Sequence, residues 1–127
     1  MSTLNVSNIT DGTTTVGTGY VVNGSAKAWS LFNGRTTPFG INDSYNVSSL
    51  TDISLGVYRI TFTNSFSSSN YAVPAAAADT NAGYVRIPLP FTGDVVTSSY
   101  YNIGTDDSGS NPDDSSYVHS ACFGDLA

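Results

Sequence analysis

Three strand-like runs decide the fold of this chain: AKAWSLFNG (residues 26–34), SYNVSSLTD (44–52) and LGVYRITFTN (55–64). Each run ends at a turn signal rich in Asn, Asp or Gly. In the third run, Tyr58, Ile60 and Phe62 alternate with the residues between them, which is the pattern of a half-buried antiparallel strand. This stretch therefore predicts a β-sheet core, and it contains no catalytic motif.

The first run has apolar side chains on both faces of its predicted strand. Ala28 and Phe32 lie on one face, whereas Trp29, the only tryptophan, and Leu31 lie on the other. A strand with this pattern is covered on both sides, at least in part. We expect one face to pack into the core and part of the other against a neighbour.

Further strand-like runs follow at residues 71–73, 84–91, 95–103 and 116–124. Ala75–Ala78 follows a proline and is predicted to be extended, and two prolines in 84–91 indicate an edge strand or an irregular crossover. Seven to eight short strands at about 10-residue spacing predict an all-β fold, an antiparallel β-sandwich or jelly-roll-like domain. We assign residues 23–127 to this head and residues 1–22 to an extended N-terminal arm.

The N-terminal residues contain too few apolar side chains to build a core of their own. Leu4, Val6, Ile9 and Val16 stand among Thr, Ser, Gly and Asn. One interpretation is a flexible tail. The interpretation that we prefer is an arm that anchors the protein, docking on a partner or on other copies of the chain through these four residues.

Composition excludes several classes of function. The 127 residues carry ten acidic side chains, all Asp, against four Lys and Arg, for a net charge of −6. Four scattered cations do not form a stripe that follows a phosphate backbone, so nucleic-acid binding is not expected. No run is long enough to predict membrane insertion, and the first ten residues show no signal-peptide pattern. Cys122 is the only cysteine, so we predict no intrachain disulfide and a buried thiol.

Several segments together resemble a short β-rich domain of tailed-bacteriophage virion proteins, found near the ends of tail fibres and in other fibre-like proteins. They are NGSAKAWSLFNG (23–34), DSYNVSSLTD (43–52), GVYRITFTN (56–64), NYAV (70–73) and FGDLA (123–127). The likeness spans residues 20–73 and the C-terminus, and STLNVSNITDGT (2–13) resembles the lead-in of such proteins. RTTPFGI (35–41) departs from the expected small linker, and residues 75–118 have no counterpart.

The resemblance implies an architecture and a setting more than an activity. It implies location in the virion, a homotrimer, and other virion proteins of the capsid or tail as partners. A host-surface glycan is a further partner that a fibre tip would have. The motifs are signatures of a fold and include no catalytic residue.

The ionisable residues do not suggest an enzyme. Nearly all the Asp residues lie in predicted turns, where Asp bonds its own backbone. His119 and Cys122 are three apart on one predicted strand, so their side chains point to opposite faces and form no catalytic pair. We predict no catalytic residues and no cofactor.

Two weaker candidate sites remain. The acidic loop with Asp106, Asp107, Asp113 and Asp114 offers oxygen ligands for calcium, but it lacks EF-hand spacing and reads more simply as a solvated turn, so no metal is predicted. A glycan surface is the second candidate, because tyrosines stack on sugar faces; core or interface positions are equally compatible. Its residues are Tyr84, Tyr100, Tyr101 and Tyr117.

The sequence thus predicts a non-enzymatic virion structural protein, a small fibre, knob or decoration that contributes to host attachment. One alternative is a monomeric carbohydrate-binding module. Another is a capsid decoration with no receptor role.

Overall fold

The computed structural model describes residues 2–36, 39–79, 85–90, 96–107, 109 and 111–127, with the backbone alone for 85–90. Within these ranges the chain forms ten strands and one short helix. The elements are β1 (Asn8–Thr10), β2 (Thr15–Gly17), α1 (Thr18–Gly24), β3 (Ala28–Asn33), β4 (Gly40–Tyr45), β5 (Val47–Ser54), β6 (Val57–Phe62), β7 (Ala75–Ala78), β8 (Val85–Pro90), β9 (Tyr100–Asp106) and β10 (Tyr117–Cys122).

The eight strands of the head are all antiparallel and follow the order β4-β3-β10-β7-β8-β9-β6-β5. We call β4-β3-β10-β7 the first sheet and β9-β6-β5 the second sheet. Strand β8 joins them, because its start at Val85 pairs with β7 and its later residues, from Ile87 to Pro90, pair with β9. The predicted all-β sandwich is confirmed, and the proline-containing run is the crossover between its sheets.

Both sheets contribute side chains to one core. The Phe32 ring of β3 meets the Tyr58 ring of β6 edge-on, with 5.0 Å between the ring centroids. Phe62 and Phe66 form a second aromatic contact at 4.8 Å. Full burial of a side chain of this kind stabilises the fold by about 1.5–3 kcal/mol. The predicted alternation in β6 is confirmed, since Tyr58, Ile60 and Phe62 are all buried.

The chain passes from the first sheet to the second at a single residue, Asn46, which lies between β4 and β5. Its φ of 55° falls in the left-handed region that asparagine tolerates. The side chain fixes this corner. Its Oδ1 accepts a 2.7 Å hydrogen bond from the Asn64 backbone N–H, and its Nδ2 donates to the carbonyl oxygen of Lys27 at 3.1 Å.

A chain of hydroxyl groups crosses the core between the sheets. The Tyr101 hydroxyl of β9 lies 2.5 Å from Ser120 Oγ of β10, which lies 2.7 Å from Ser30 Oγ of β3. All three residues are buried. Because each hydroxyl has a partner, these polar groups are accommodated in an apolar interior without a large desolvation cost.

The N-terminal region differs in detail from the predicted extended arm. Strands β1 and β2 form a separate two-stranded hairpin, and Asp11 holds its turn by accepting hydrogen bonds from the backbone N–H groups of Thr13 and Thr14. These bonds, Thr14 first, lower the pKa of Asp11 below its usual value. A short helix, α1, then covers the predicted boundary between residues 22 and 23.

The dipeptide Asn23–Gly24 is typical of a turn but is helical here, because α1 extends to Gly24. Both residues lie at the end of α1. The helix is closed by the Ser25 N–H, which donates to the Val21 carbonyl, and by the Lys27 ammonium, which donates to the carbonyls of Val22 and Ser25. A cation at a helix C-terminus satisfies carbonyls that have no partner within the helix.

Candidate functional site

The predicted anchoring residues all lie on the surface of the N-terminal region. Leu4 is 82% exposed, and Val6, Ile9 and Val16 are also exposed. Ile9 and Val16 stand directly opposite each other in the β1–β2 hairpin, so their side chains share one face. The hairpin therefore presents a paired apolar surface.

Helix α1 adds exposed apolar surface that the sequence pattern did not indicate as part of a site. Tyr20, Val21 and Val22 are exposed, and α1 buries no residue. A seven-residue helix and a two-stranded hairpin are each marginal in water without further packing. We call residues 4–22 the apolar arm. Contact with a partner is the physical means by which such a segment gains stability.

A second apolar surface lies on the outer face of the first sheet. Trp29 stands opposite Tyr45 of β4 on one side and Ala121 of β10 on the other. Trp29 is 36% exposed and Tyr45 is 59% exposed. A shallow groove beside them is lined by Trp29, Leu31, Pro74, Ala76, Ala121 and Phe123, among others. We call this surface the Trp29 face.

The sequence indicated only part of the Trp29 face. Apolar residues on both faces of the β3 run predicted that Trp29 and Leu31 lie opposite the core, as they do. Tyr45 was missed because its strand has no clear alternation. Its place beside Trp29 depends on the pairing of β3 with β4, which includes a register shift between Leu31 and Phe32.

The predicted glycan surface of four tyrosines does not form. Tyr101 is 2% exposed and belongs to the core, where burial raises its pKa above the usual value for tyrosine. Tyr100 points to the outer face of the second sheet, and Tyr117 is exposed on β10 in the first sheet. Tyr84 lies outside the described residues. Assigning Tyr101 to the surface was wrong, because adjacent strand residues face opposite ways.

The acidic loop uses its carboxylates to hold its own structure. Asp107 Oδ1 accepts hydrogen bonds from the backbone N–H groups of Gly109 and Asn111 at 2.8 and 2.9 Å. Asp113 forms an ion pair with Arg35 at 3.0 Å. Across the described ranges, no group of three or more His, Cys, Asp or Glu side chains is arranged to hold a metal ion.

The side chain of Asp114 is bound at the edge of the core. Its Oδ1 accepts hydrogen bonds from the Tyr58 hydroxyl at 2.7 Å and the Gly56 N–H at 2.8 Å. Burial first, and the Asp114 carboxylate second, raise the pKa of Tyr58. Asp106 pairs through its backbone with Ile87 of β8. The four predicted ligands therefore do not converge on one point.

His119 and Cys122 point to opposite faces of β10, as predicted. His119 is exposed on the Trp29 face, whereas Cys122 is fully buried in the core. Burial raises the pKa of the Cys122 thiol to about 12. A thiol in this state is not a nucleophile at neutral pH.

No protein-family profile, curated protein or solved structure matches this chain. No helix in the described ranges has both the length and the apolar character needed to cross a membrane.

Proposed function

We propose that this chain is a non-enzymatic structural protein of a bacteriophage virion, a small fibre, knob or decoration that contributes to host attachment. In this proposal the chain forms a homotrimer through the apolar arm, which binds neighbouring copies and other virion proteins of the capsid or tail. The resemblance of residues 20–73 to fibre-like virion domains supports the setting.

The observation that carries the proposal is the apolar arm. Its exposed large hydrophobic residues are Leu4, Val6, Ile9, Val16, Tyr20, Val21 and Val22. They are concentrated in a segment that forms its own two-stranded sheet and, within the described ranges, pairs with no strand of the head. Contiguous exposed apolar surface of this kind marks an interaction site. The Trp29 face gives a second surface on which neighbouring copies can pack.

The solution mass, measured by light scattering, tests the assembly. We expect about three times the chain mass of 13.3 kDa. Ile9→Ser should reduce the mass to that of a single chain, because it removes apolar contact area from the arm. Ile53→Ser is the matched control, since Ile53 is an exposed isoleucine of similar accessibility on β5 of the head. A wild-type protein that runs as a monomer would contradict the trimer.

A monomeric carbohydrate-binding module is the second candidate, and the Trp29–Tyr45 pair favours it. Adjacent exposed aromatic rings on the outer face of a sheet offer a stacking surface for a pyranose ring. Because Trp29 is the only tryptophan, its fluorescence would report binding directly. A glycan that quenches this fluorescence in a monomeric protein, and that Trp29→Ala no longer binds, would support the module.

A capsid decoration without a receptor role is the third candidate. It predicts an assembled protein that binds no sugar on a glycan array. Light scattering first shows whether the protein is assembled. The glycan array then distinguishes a decoration without a receptor role from a protein that contributes to host attachment.

A further inference from the structure

Arg59 lies on the outer face of the second sheet and is held in one orientation. Its Nε donates a 2.9 Å hydrogen bond to Oδ1 of Asn102, the residue opposite it on β9. Its guanidinium carbon lies 4.1 Å from the centroid of the Tyr100 ring, a cation–π contact. Asn102 is 7% exposed, so the group that orients Arg59 is itself fixed by its surroundings.

This arginine has no counter-ion among the described side chains. No described carboxylate lies within 4.0 Å of Arg59, whereas Arg35 pairs with two aspartates. The contacts of Arg59 within the described ranges use Nε and the face of the guanidinium, which leaves the fork of Nη1 and Nη2 available. Arg59 is thus an oriented cation without a described carboxylate partner, in a chain of net charge −6.

The neighbours of Arg59 on the outer face of β5 and β6 carry hydroxyl groups. Thr51 of β5 stands opposite Arg59, and in the adjacent row Ser49 stands opposite Thr61, which in turn faces Tyr100. These side chains share the outer face, because the residues between them on β6 point into the core. The described neighbours of Arg59 on this part of the outer face are therefore mostly neutral hydrogen-bonding groups.

We propose that Arg59, oriented by Asn102 and Tyr100, binds the carboxylate of a uronic acid unit in an otherwise neutral glycan. A guanidinium fork matches a carboxylate with two parallel hydrogen bonds. The hydroxyl groups of Thr51, Thr61 and Ser49 lie on the same outer face and offer hydrogen bonds to the neutral part of the glycan.

An acidic peptide is the less favourable ligand. It would bring several negative charges to a strongly acidic protein, and this face offers them one described cation. A uronic acid unit brings a single carboxylate on a ring whose other groups are neutral. The site lies within one chain and does not require the trimer; only its use in host attachment rests on the proposed function.

The test is a titration of the intact protein with methyl glucuronide, using methyl glucoside as the neutral probe. Calorimetry gives the affinity, and NMR follows the Nε–H resonance of Arg59. We expect the glucuronide to bind with a dissociation constant of about 1 mM or tighter and to shift that resonance. The glucoside should do neither. The NMR readout uses the wild-type chain, so it remains decisive if a variant fails to fold.

Two variants locate the binding. Arg59→Gln should weaken glucuronide binding by about tenfold or more, the loss expected for hydrogen bonds to a charged group. Arg59→Lys should also weaken it, because an ammonium lacks the fork. Lys27→Gln is the matched control: it removes the same unit of charge at a residue whose ammonium binds the end of α1, and affinity should change by less than about twofold.

Equal binding of glucoside and glucuronide would overturn the proposal, and so would equal losses in Arg59→Gln and Lys27→Gln. Tetra-aspartate that binds in an Arg59-dependent manner, while glucuronide does not bind, would reassign the site to a peptide carboxylate. Light scattering is read separately, so a monomer that binds glucuronide refutes the trimer and leaves this site standing.

Discussion

The guanidinium of Arg35 lies 3.0 Å from the carboxylate of Asp79, whose side chain is 1% exposed. The same guanidinium lies 3.0 Å from Asp113, whose side chain is 33% exposed. Ser116 Oγ also donates to Asp79, at 2.7 Å. One cation thus joins the chain after β3, the chain after β7 and the acidic loop. The two carboxylates differ chiefly in their exposure to water.

This difference predicts unequal effects of mutation. Arg35→Gln removes a cation from the buried Asp79 carboxylate, and we expect the free energy of unfolding to fall by about 3 kcal/mol. Asp113→Asn breaks only the exposed pair and should cost under about 1 kcal/mol. Urea unfolding measures both values. Equal losses in the two variants would show that burial of Asp79 does not control the energetics of this contact.

Alanine substitutions at Gly56 and Gly12 provide a second matched comparison. Both have positive φ, 69° and 97°. A Cβ on Gly56 would lie 2.5 Å from the Thr105 carbonyl oxygen and 2.7 Å from the Asp113 nitrogen, whereas a Cβ on Gly12 meets nothing within 4 Å. We expect Gly56→Ala to destabilise the head by about 3 kcal/mol or more, through strain and backbone collision together.

Gly12→Ala should cost only about 1–2 kcal/mol of local conformational strain, confined to the β1–β2 hairpin. Thermal unfolding followed by circular dichroism would measure the head, and amide chemical shifts would report the hairpin. If Gly12→Ala lowered the melting temperature of the head as much as Gly56→Ala does, the backbone collision at Gly56 would not be the cause of its cost.

The buried tyrosines predict instability at alkaline pH. Burial is the main cause that raises the pKa values of Tyr58, Tyr71 and Tyr101 above the ordinary value of 10.0. Since the folded state holds the neutral phenols, their contribution to stability is complete below pH 10.0 and decreases as the pH rises above it. Tyrosinate absorbance of these residues should therefore appear together with loss of β-sheet circular dichroism.

Tyr101→Phe should reduce the steepness of that alkaline loss of stability, because one fewer buried phenol ionises on unfolding. The variant should also lose about 1 kcal/mol at neutral pH, since the bond to Ser120 is removed. If all the tyrosines ionised while the circular dichroism of the native fold persisted, the assignment of these phenols to the core would be wrong.

Cys122 should be protected from thiol reagents in the native protein. The thiol is fully buried, and its pKa of about 12 leaves almost no thiolate at neutral pH. We expect alkylation by iodoacetamide to be limited by unfolding and to accelerate across the urea transition. Glutathione under the same conditions supplies the rate for an accessible thiol. Labelling of Cys122 in the native protein at the rate measured for glutathione would contradict its burial.

Local alternation was sufficient to predict the sandwich but not its surfaces. The side-chain period of a strand is two, so a core face is indicated within one strand by the alternate residues Tyr58, Ile60 and Phe62. The same rule, applied to Tyr101 and Ile103, would have placed Tyr101 in the core. In contrast, Arg59 meets Asn102 across 43 positions of sequence, and no local spacing indicates such a pair. The Trp29 face and the outer face around Arg59 are both created by pairing between different strands. Such pairing leaves no periodic signal in the sequence of either strand.

The pairing of β3 with β10 also determines how the head responds to force. Ala28 at the start of β3 lies opposite Cys122 at the end of β10, and the Lys27 N–H donates to the Cys122 carbonyl. The start of β3 and the end of β10 therefore lie side by side, at the same end of neighbouring antiparallel strands. Tension applied between residues 25 and 123 would open this ladder like a zipper, one hydrogen bond at a time. The head would resist force far better if the tension were applied between the arm and a strand other than β10.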